Sequence, residues 1–186
     1  MTAPCCVLKG VPMILSDQSI AELLAIGKLV VTPEPILKSA SLRLHLSDQF
    51  AKPAGDILTQ DAFILQPKEL ILSSTLEHVT MPDDHAGLYD GSTTLARFGI
   101  TSHMGSMLIS PGSDGNLTLE IFNASDTAFT LKAGMRIGQL LILKMDKPSR
   151  HPQPTLSKYI GDLHNGLVLP DHDSAYRMHP TNEKKL

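Results

Sequence analysis

The sequence predicts an all-β domain with one short N-terminal helix. Three observations point there. Thirteen Gly and 13 Pro in 186 residues punctuate the chain with turns. After residue 30, apolar residues recur with period two in short runs. Hydrophobic residues make up 42% of the chain, aromatics only 4%, and Trp is absent, so aliphatic side chains must fill the core. Repeated short strands with turn signals between them belong to a β-sandwich or barrel.

The helix comes first. Ser16 is a natural N-cap, Ile20, Leu23 and Leu24 lie at helical spacing, and Gly27 can stop the run. The period then changes. Leu42, Leu44 and Leu46 alternate with Arg43 and His45. Runs at 62–65 and 70–72 flank a turn at Gln66-Pro67-Lys68. Leu117, Leu119 and Ile121 alternate with Thr118, Glu120 and Phe122, and runs at 128–131 and 135–143 are joined by Ala133-Gly134. No internal repeat is visible. From Lys147 the prolines at 148, 152 and 154 rule out a ladder strand or helix, because proline lacks the N–H donor. The division expected is a loose N-terminus at 1–12, with Met13 a candidate start, a β domain at 13–146, a proline-rich linker at 147–155, and an arm and polar tail at 156–186.

Composition narrows the function. A formal charge of −3 without a Lys/Arg run argues against nucleic acid as a partner. No apolar stretch approaches the ~20 residues of a membrane span, and residues 1–12 lack the layout of a signal peptide. The two cysteines, Cys5 and Cys6, are adjacent and form neither a disulfide framework nor a metal knuckle, which fits a reducing cytoplasm.

The chemistry concentrates in residues 90–123. Glu120 lies on the strand face opposite Leu119 and Ile121. Lining a cavity, it would have its pKa raised by desolvation and be suited to moving protons; otherwise it is a solvated carboxylate. Arg97 follows Thr93-Thr94-Leu95-Ala96, which reads as a short helical turn. Threonine hydroxyls, backbone amides and a guanidinium suit a phosphate, although the same residues suit an ordinary cap and a surface arginine. Ser110-Pro111-Gly112-Ser113 is a turn whose functional value lies in where it places Ser106 to Ser110. His103 reads as a satisfied structural histidine. The H-x-E and P-C-x-x-C pattern of zinc deaminases is absent, as are a Walker A loop, G-x-G-x-x-G and G-x-S-x-G. Lys158-Tyr159, in the arm, can serve as a closing lid or as a solvated tail.

In order and spacing, these blocks resemble the dCTP deaminase branch of the trimeric dUTPase superfamily. The resemblance runs from Met13-Ile14-Leu15-Ser16-Asp17 to Lys158-Tyr159. It is carried by Leu70 to Asp84, Asp90-Gly91 to Leu95-Ala96-Arg97-Phe98-Gly99, Pro111-Gly112 to Leu119-Glu120-Ile121-Phe122-Asn123, and Gly134-Met135-Arg136-Ile137-Gly138-Gln139-Leu140. It implies a distorted β-barrel or jelly roll assembled as a homotrimer, with sites between subunits that bind a deoxynucleoside triphosphate. Mg²⁺ would be held through the substrate phosphates, with no zinc and no protein-bound metal. Glu120 would activate water for deamination of dCTP to dUTP. Arg97, Ser92, Thr93, Thr94, Ser106 and Ser110 would line the site, and Lys158 and Tyr159 would close it.

The phosphate side departs from the family pattern. Ser92 stands at the basic position of the Asp-Gly-Arg/Lys-Ser-Ser turn, Ser110 replaces the aspartate of Ile-Asp-Pro-Gly, and Asp162 replaces a glutamine in the arm. Each charge-assisted phosphate contact contributes roughly 1.5–3 kcal/mol, so losing two weakens triphosphate binding by about two to four decades. Two alternatives follow: a non-catalytic trimer that binds a nucleotide or a protein, and, more weakly, a dUTP-type pyrophosphatase.

Overall fold

The computed structural model describes residues 14–53 and 56–153. Helix α1 (Asp17–Ala25) opens the fold. The Ser16 side chain accepts from the amide of Ser19, Ile20 is the buried contact, and Gly27 adopts the left-handed φ of +68° that ends the helix. Beyond it the regular structure among the described residues is almost entirely strand. The strands are β1 (Val30–Thr32), β2 (Leu37–Lys38), β3 (Ser41–Ala51), β4 (Ile57–Thr59), β5 (Ala62–Leu65), β6 (Leu70–Thr80), β7 (His85–Gly91), β8 (Ile100–Thr101), β9 (Leu108–Ile109), β10 (Asp114–Asn123), β11 (Phe129–Lys132) and β12 (Arg136–Lys144). Helix α2 (Thr93–Arg97) interrupts them once. The all-β expectation therefore holds, and the short turn at 93–97 is helical as its residues predict. No helix among the described residues is long and apolar enough to cross a membrane.

All the strand pairs are antiparallel, and the main sheet follows the order β8-β10-β6-β3-β12-β7-β9. β3 is its corner. The first half of β3 pairs with β12 (Leu42 opposite Leu140), and its second half pairs with β6 and β4 (Phe50 opposite Ser73 and Leu58). One long strand thus serves two faces of a curled sheet, as in packings where strands turn a corner. The core lies inside the curl. Leu42, Leu44 and Leu46 are fully buried, with Leu119, Ile121, Ile137, Leu140 and Ile142. A separate two-stranded sheet, β5 with β11, joins through Phe63, whose ring stacks on Phe50 at 5.4 Å. The runs at 62–65 and 70–72 are neighbours in sequence but not in the sheet, since β5 pairs with β11 and β6 with β10 and β3.

β6 is longer than its apolar start suggests. Ser73, Ser74, Thr75 and Glu77 continue it in buried positions, because each polar group finds a partner. Ser73 donates to the Gln49 carbonyl at 2.6 Å, Ser74 to Ser47 at 2.9 Å, and Thr75 to the Glu77 carbonyl at 2.8 Å. Glu77, only 3% exposed, takes the backbone N–H of His45 at 2.8 Å and lies 2.6 Å from His45 Nδ1. His45 stands where the β3–β12 register slips, so the carboxylate supplies the acceptor that the ladder lacks there. Glu77→Ala leaves that N–H unpaired. It is expected to destabilise the fold by about 1–3 kcal/mol, read as a lowered urea midpoint with an unchanged slope.

The proline-rich stretch after β12 runs without helix or strand as far as Gln153 and is pinned twice. Ser149 N–H donates to the Asp83 carbonyl at 2.9 Å, and Gln153 N–H to the Pro111 carbonyl at 2.7 Å. Gly112, at φ +73°, has no room for a side chain, since a Cβ there would meet the Gln153 carbonyl oxygen. Lys158 and Tyr159 lie outside the described residues.

Candidate active site

The site forms at the seam of the curl. β8 and β9 are the two ends of the strand order, yet only the six residues 102–107 connect them in sequence. At about 3.3–3.6 Å per residue, that short connection draws the opposite edges together. The sheet closes over the seam with a loop rather than with a ladder, and functional side chains can stand in that gap.

Register explains which ones do. On β10, Phe122 lies opposite Thr101 and Asn123 opposite Ile100. Continuing that register two residues past the end of β8 sets His103 across from Glu120. His103 Nδ1 lies 2.8 Å from Glu120 Oε2. The approach is off the N–H axis, so the contact is a close ion pair rather than a directed hydrogen bond. The Met104 N–H donates to the same Oε2 at 3.2 Å. Gly105 passes so near that a Cβ on it would sit 3.6 Å from Glu120 Oε1.

The electrostatics reverse one expectation. Burial by itself raises the Glu120 pKa, as anticipated, but His103 and the amides of Met104 and Gly105 outweigh it, and the pKa is lowered. Glu120 is therefore a stabilised carboxylate, not a carboxylic acid held neutral by desolvation. His103 shifts the other way. Glu120 raises its pKa, burial opposes this, and the Ser106 carbonyl adds to the rise. The structural role expected for His103 thus understates it, because its ring faces the candidate base. The signal for this is the β8–β10 register, which is invisible in the sequence until the two strands are known to pair.

Beside the pair lies a pocket of about 480 Å³, within the range of small-ligand sites. Tyr89, Asp90 and Gly91 of β7 form one wall, Ser92 and Thr93 open α2 on another, and Thr101 to His103 form a third. Ser92 is buried at the N-cap, with its N–H on the Ile137 carbonyl at 3.0 Å. Asp90 accepts from the Gln139 amide at 2.7 Å. Deeper in, the Tyr89 hydroxyl lies 2.8 Å from Ser102 Oγ, and burial pushes its pKa up to about 12.

The remaining candidates are placed differently. Thr94 and Arg97 are exposed on α2 and do not line the pocket, and Arg97 makes no ion pair among the described residues. Ser106 contributes its carbonyl, 2.5 Å from His103 Nε2, while its hydroxyl accepts from the Leu108 N–H at 3.3 Å. Ser110 lies at the mouth of the Pro111-Gly112 turn, and its carbonyl accepts from the Ser113 N–H at 3.2 Å. Lys68, a conceivable phosphate cation, is engaged by the Ala124 carbonyl at 2.6 Å and by Asp126 at 3.1 Å.

A curled antiparallel sheet with an acid–imidazole pair and a hydroxyl-lined pocket at its seam defines a small β-domain built around a ligand site. A family model described as dCTP deaminase-like matches residues 53–145. The chain is 32% identical to a protein named "dCTP deaminase, dUMP-forming" from Mycobacterium avium (strain 104), covering 89% of this chain and 97% of the relative. It is 36% identical to a protein of the same name from Nocardia farcinica (strain IFM 10152), covering 80% and 87%. Among solved structures, the 2'-deoxycytidine 5'-triphosphate deaminase from Agrobacterium tumefaciens superposes with a TM-score of 0.60 at 19% identity, over 72% of this chain and about half (49%) of that one. That likeness speaks for the fold. The chain belongs to the dCTP deaminase-like family, a family of enzymes.

Proposed function

We propose that this protein deaminates dCTP. The observation that supports the reading best is Glu120, held as a carboxylate opposite His103 beside a pocket lined by hydroxyls. A carboxylate so stabilised is in its base form at neutral pH. It takes a proton from water as the water oxygen bonds to the ring carbon that bears the amine. Returned to the departing nitrogen, that proton lets the C–N bond break, and ammonia leaves. Thr93 offers its hydroxyl to the ligand from the pocket wall, and Ser92 fixes the start of α2. Arg97 and Thr94 stand outside the pocket lining, and in this reading Lys158 and Tyr159 take the closing role that the family resemblance implies.

Among the described residues, no three His, Cys, Asp or Glu side chains converge as metal ligands. In this reading Mg²⁺ comes with the phosphates of the bound nucleotide. Met104, Met107 and Leu108, each more than half exposed, form an apolar rim on the seam. A rim of this kind marks an interaction surface, and we assign it to a second copy of the chain in a homotrimer. Light scattering should give a molar mass three times that of the chain; a clean monomer overturns the trimer. The adjacent cysteines, Cys5 and Cys6, in a chain without a disulfide framework fit a cytoplasmic setting.

The end product divides two readings. Deamination alone yields dUTP and ammonia. The relatives' names favour continuation to dUMP, which requires a second water and releases pyrophosphate. Ser110, where the family turn carries an aspartate, favours stopping at dUTP. Incubation with dCTP and Mg²⁺ followed by anion-exchange separation decides. Accumulated dUTP supports the first reading, dUMP with pyrophosphate the second, and intact dCTP with folded protein rejects both.

A further inference from the structure

Glu120 is held by more than its own strand. His103 Nε2 lies on the Ser106 carbonyl, an oxygen that can only accept, so Nε2 carries a proton. The nitrogen turned toward Glu120 is therefore Nδ1. A neutral ring of that tautomer would point a lone pair at a carboxylate. The favourable state has both nitrogens protonated and Glu120 ionised, an imidazolium set against a carboxylate.

The ring is itself braced. Tyr89 packs edge-on against it, with centroids 5.3 Å apart and planes at 66°. The phenol is pinned in turn by Ser102 Oγ at 2.8 Å and the Ile137 carbonyl at 3.3 Å. Glycine makes the space: a Cβ at Gly138 would sit 2.7 Å from the Tyr89 hydroxyl, and one at Gly91 would sit 3.0 Å from Ser102 Oγ. Because Nδ1 meets Glu120 off-axis, the ion pair alone does not fix the ring's angle; its packing does.

We propose that His103 is the positioning residue of Glu120 and that Tyr89 is the brace that keeps the His103 ring turned toward it. The proposal rests on the reading of Glu120 as the base and deepens it. The titratable groups facing His103 are Glu120 from β10 and Tyr89 from β7. Asp90, next along β7, acts on the Tyr89 phenol and is held by Gln139 of β12.

Two readouts test it. In the first, the His103 ring is titrated by NMR in labelled protein and assigned by its loss in His103→Asn. Its midpoint is expected to fall in Glu120→Gln, and to move in Tyr89→Leu as the ring swings away. In the second, pH profiles with dCTP are compared. His103→Ala is expected to lower kcat by about 10- to 100-fold, to change KM by roughly threefold or less, and to move the acid limb to higher pH, since Glu120 loses its cation. His103→Asn, whose amide can still donate, is expected to recover part of kcat. If Tyr89→Leu does not fold, Tyr89→Phe, which keeps the ring and loses the hydroxyl anchors, replaces it with a smaller expected shift. An unmoved acid limb and kcat in His103→Ala overturn the proposal. So does a His103 midpoint indifferent to Glu120→Gln. Should wild-type protein turn over no cytosine nucleotide, the deaminase reading fails, and the NMR arm alone decides whether the positioned pair stands.

Discussion

Replacing Glu120 by Gln is expected to lower kcat on dCTP by about 10²- to 10⁴-fold, the range a general base contributes. Gln preserves the length of the side chain and an oxygen for the Met104 N–H, so the strand, the loop and the pocket walls keep their places. What it removes is the ability to accept a proton. Substrate affinity should change little, because Glu120 faces His103 and the 104–105 amides and is not part of the hydroxyl-lined wall. Single-turnover kinetics alongside titration calorimetry separate the two terms. Retained turnover, or lost binding with unchanged turnover, would contradict the assignment.

The same variant has a signature in stability. Glu120 has a lowered pKa, so its contribution is present above the unfolded value and is lost as pH falls through the folded one. His103 has a raised pKa, so its contribution is complete below the unfolded value and is lost as pH rises through the folded one. Both are charged from about pH 4.3 to about pH 6.5, and the pair persists beyond each end of that window. Glu120→Gln should therefore flatten the pH dependence of the unfolding midpoint on both flanks.

Phe50→Ala is expected to cost about 3–5 kcal/mol, a large part of the 5–15 kcal/mol typical of a folded domain. Phe50 is fully buried at the corner strand, opposite Leu58 on one side and Ser73 on the other. Its ring stacks on Phe63 at an interplanar angle of 24°, and Phe63 belongs to the separate β5–β11 sheet. Truncation opens a void and also loosens the attachment of that small sheet. Urea unfolding followed by circular dichroism measures the first effect, and faster amide exchange confined to 62–65 and 129–132 would report the second. A loss below about 1 kcal/mol would show that the corner repacks around the void.

Local sequence carried part of this structure. Leu42, Leu44 and Leu46 announced a half-buried strand because side chains alternate along extended backbone. Ser16 and Gly27 marked the ends of α1 because caps are chemically distinctive. Alternation on β10 placed Glu120 on the face away from Leu119 and Ile121, and that is where it stands. What stayed hidden depends on residues distant in the chain. His103 acquires its meaning from lying across from Glu120, and cross-strand register is not written in either segment alone. The lowered pKa of Glu120 followed for the same reason, since desolvation could be anticipated but the opposing imidazole and amides could not. β6 was legible only at its apolar start, because Ser73 to Glu77 are made compatible with burial by partners on other strands.

The Tyr89 brace also gives the molecule an optical handle. The chain has no tryptophan and three tyrosines, Tyr89, Tyr159 and Tyr176. With the other two changed to phenylalanine, all tyrosine emission and dichroism would come from one phenol, packed edge-on against the His103 ring that lines the pocket. A fixed aromatic in an asymmetric setting gives a near-ultraviolet dichroic band that vanishes when packing loosens. Without a dye or a fused reporter, the change in that band on titration, once the free nucleotide's own signal is subtracted, would report filling of the pocket that Tyr89 lines.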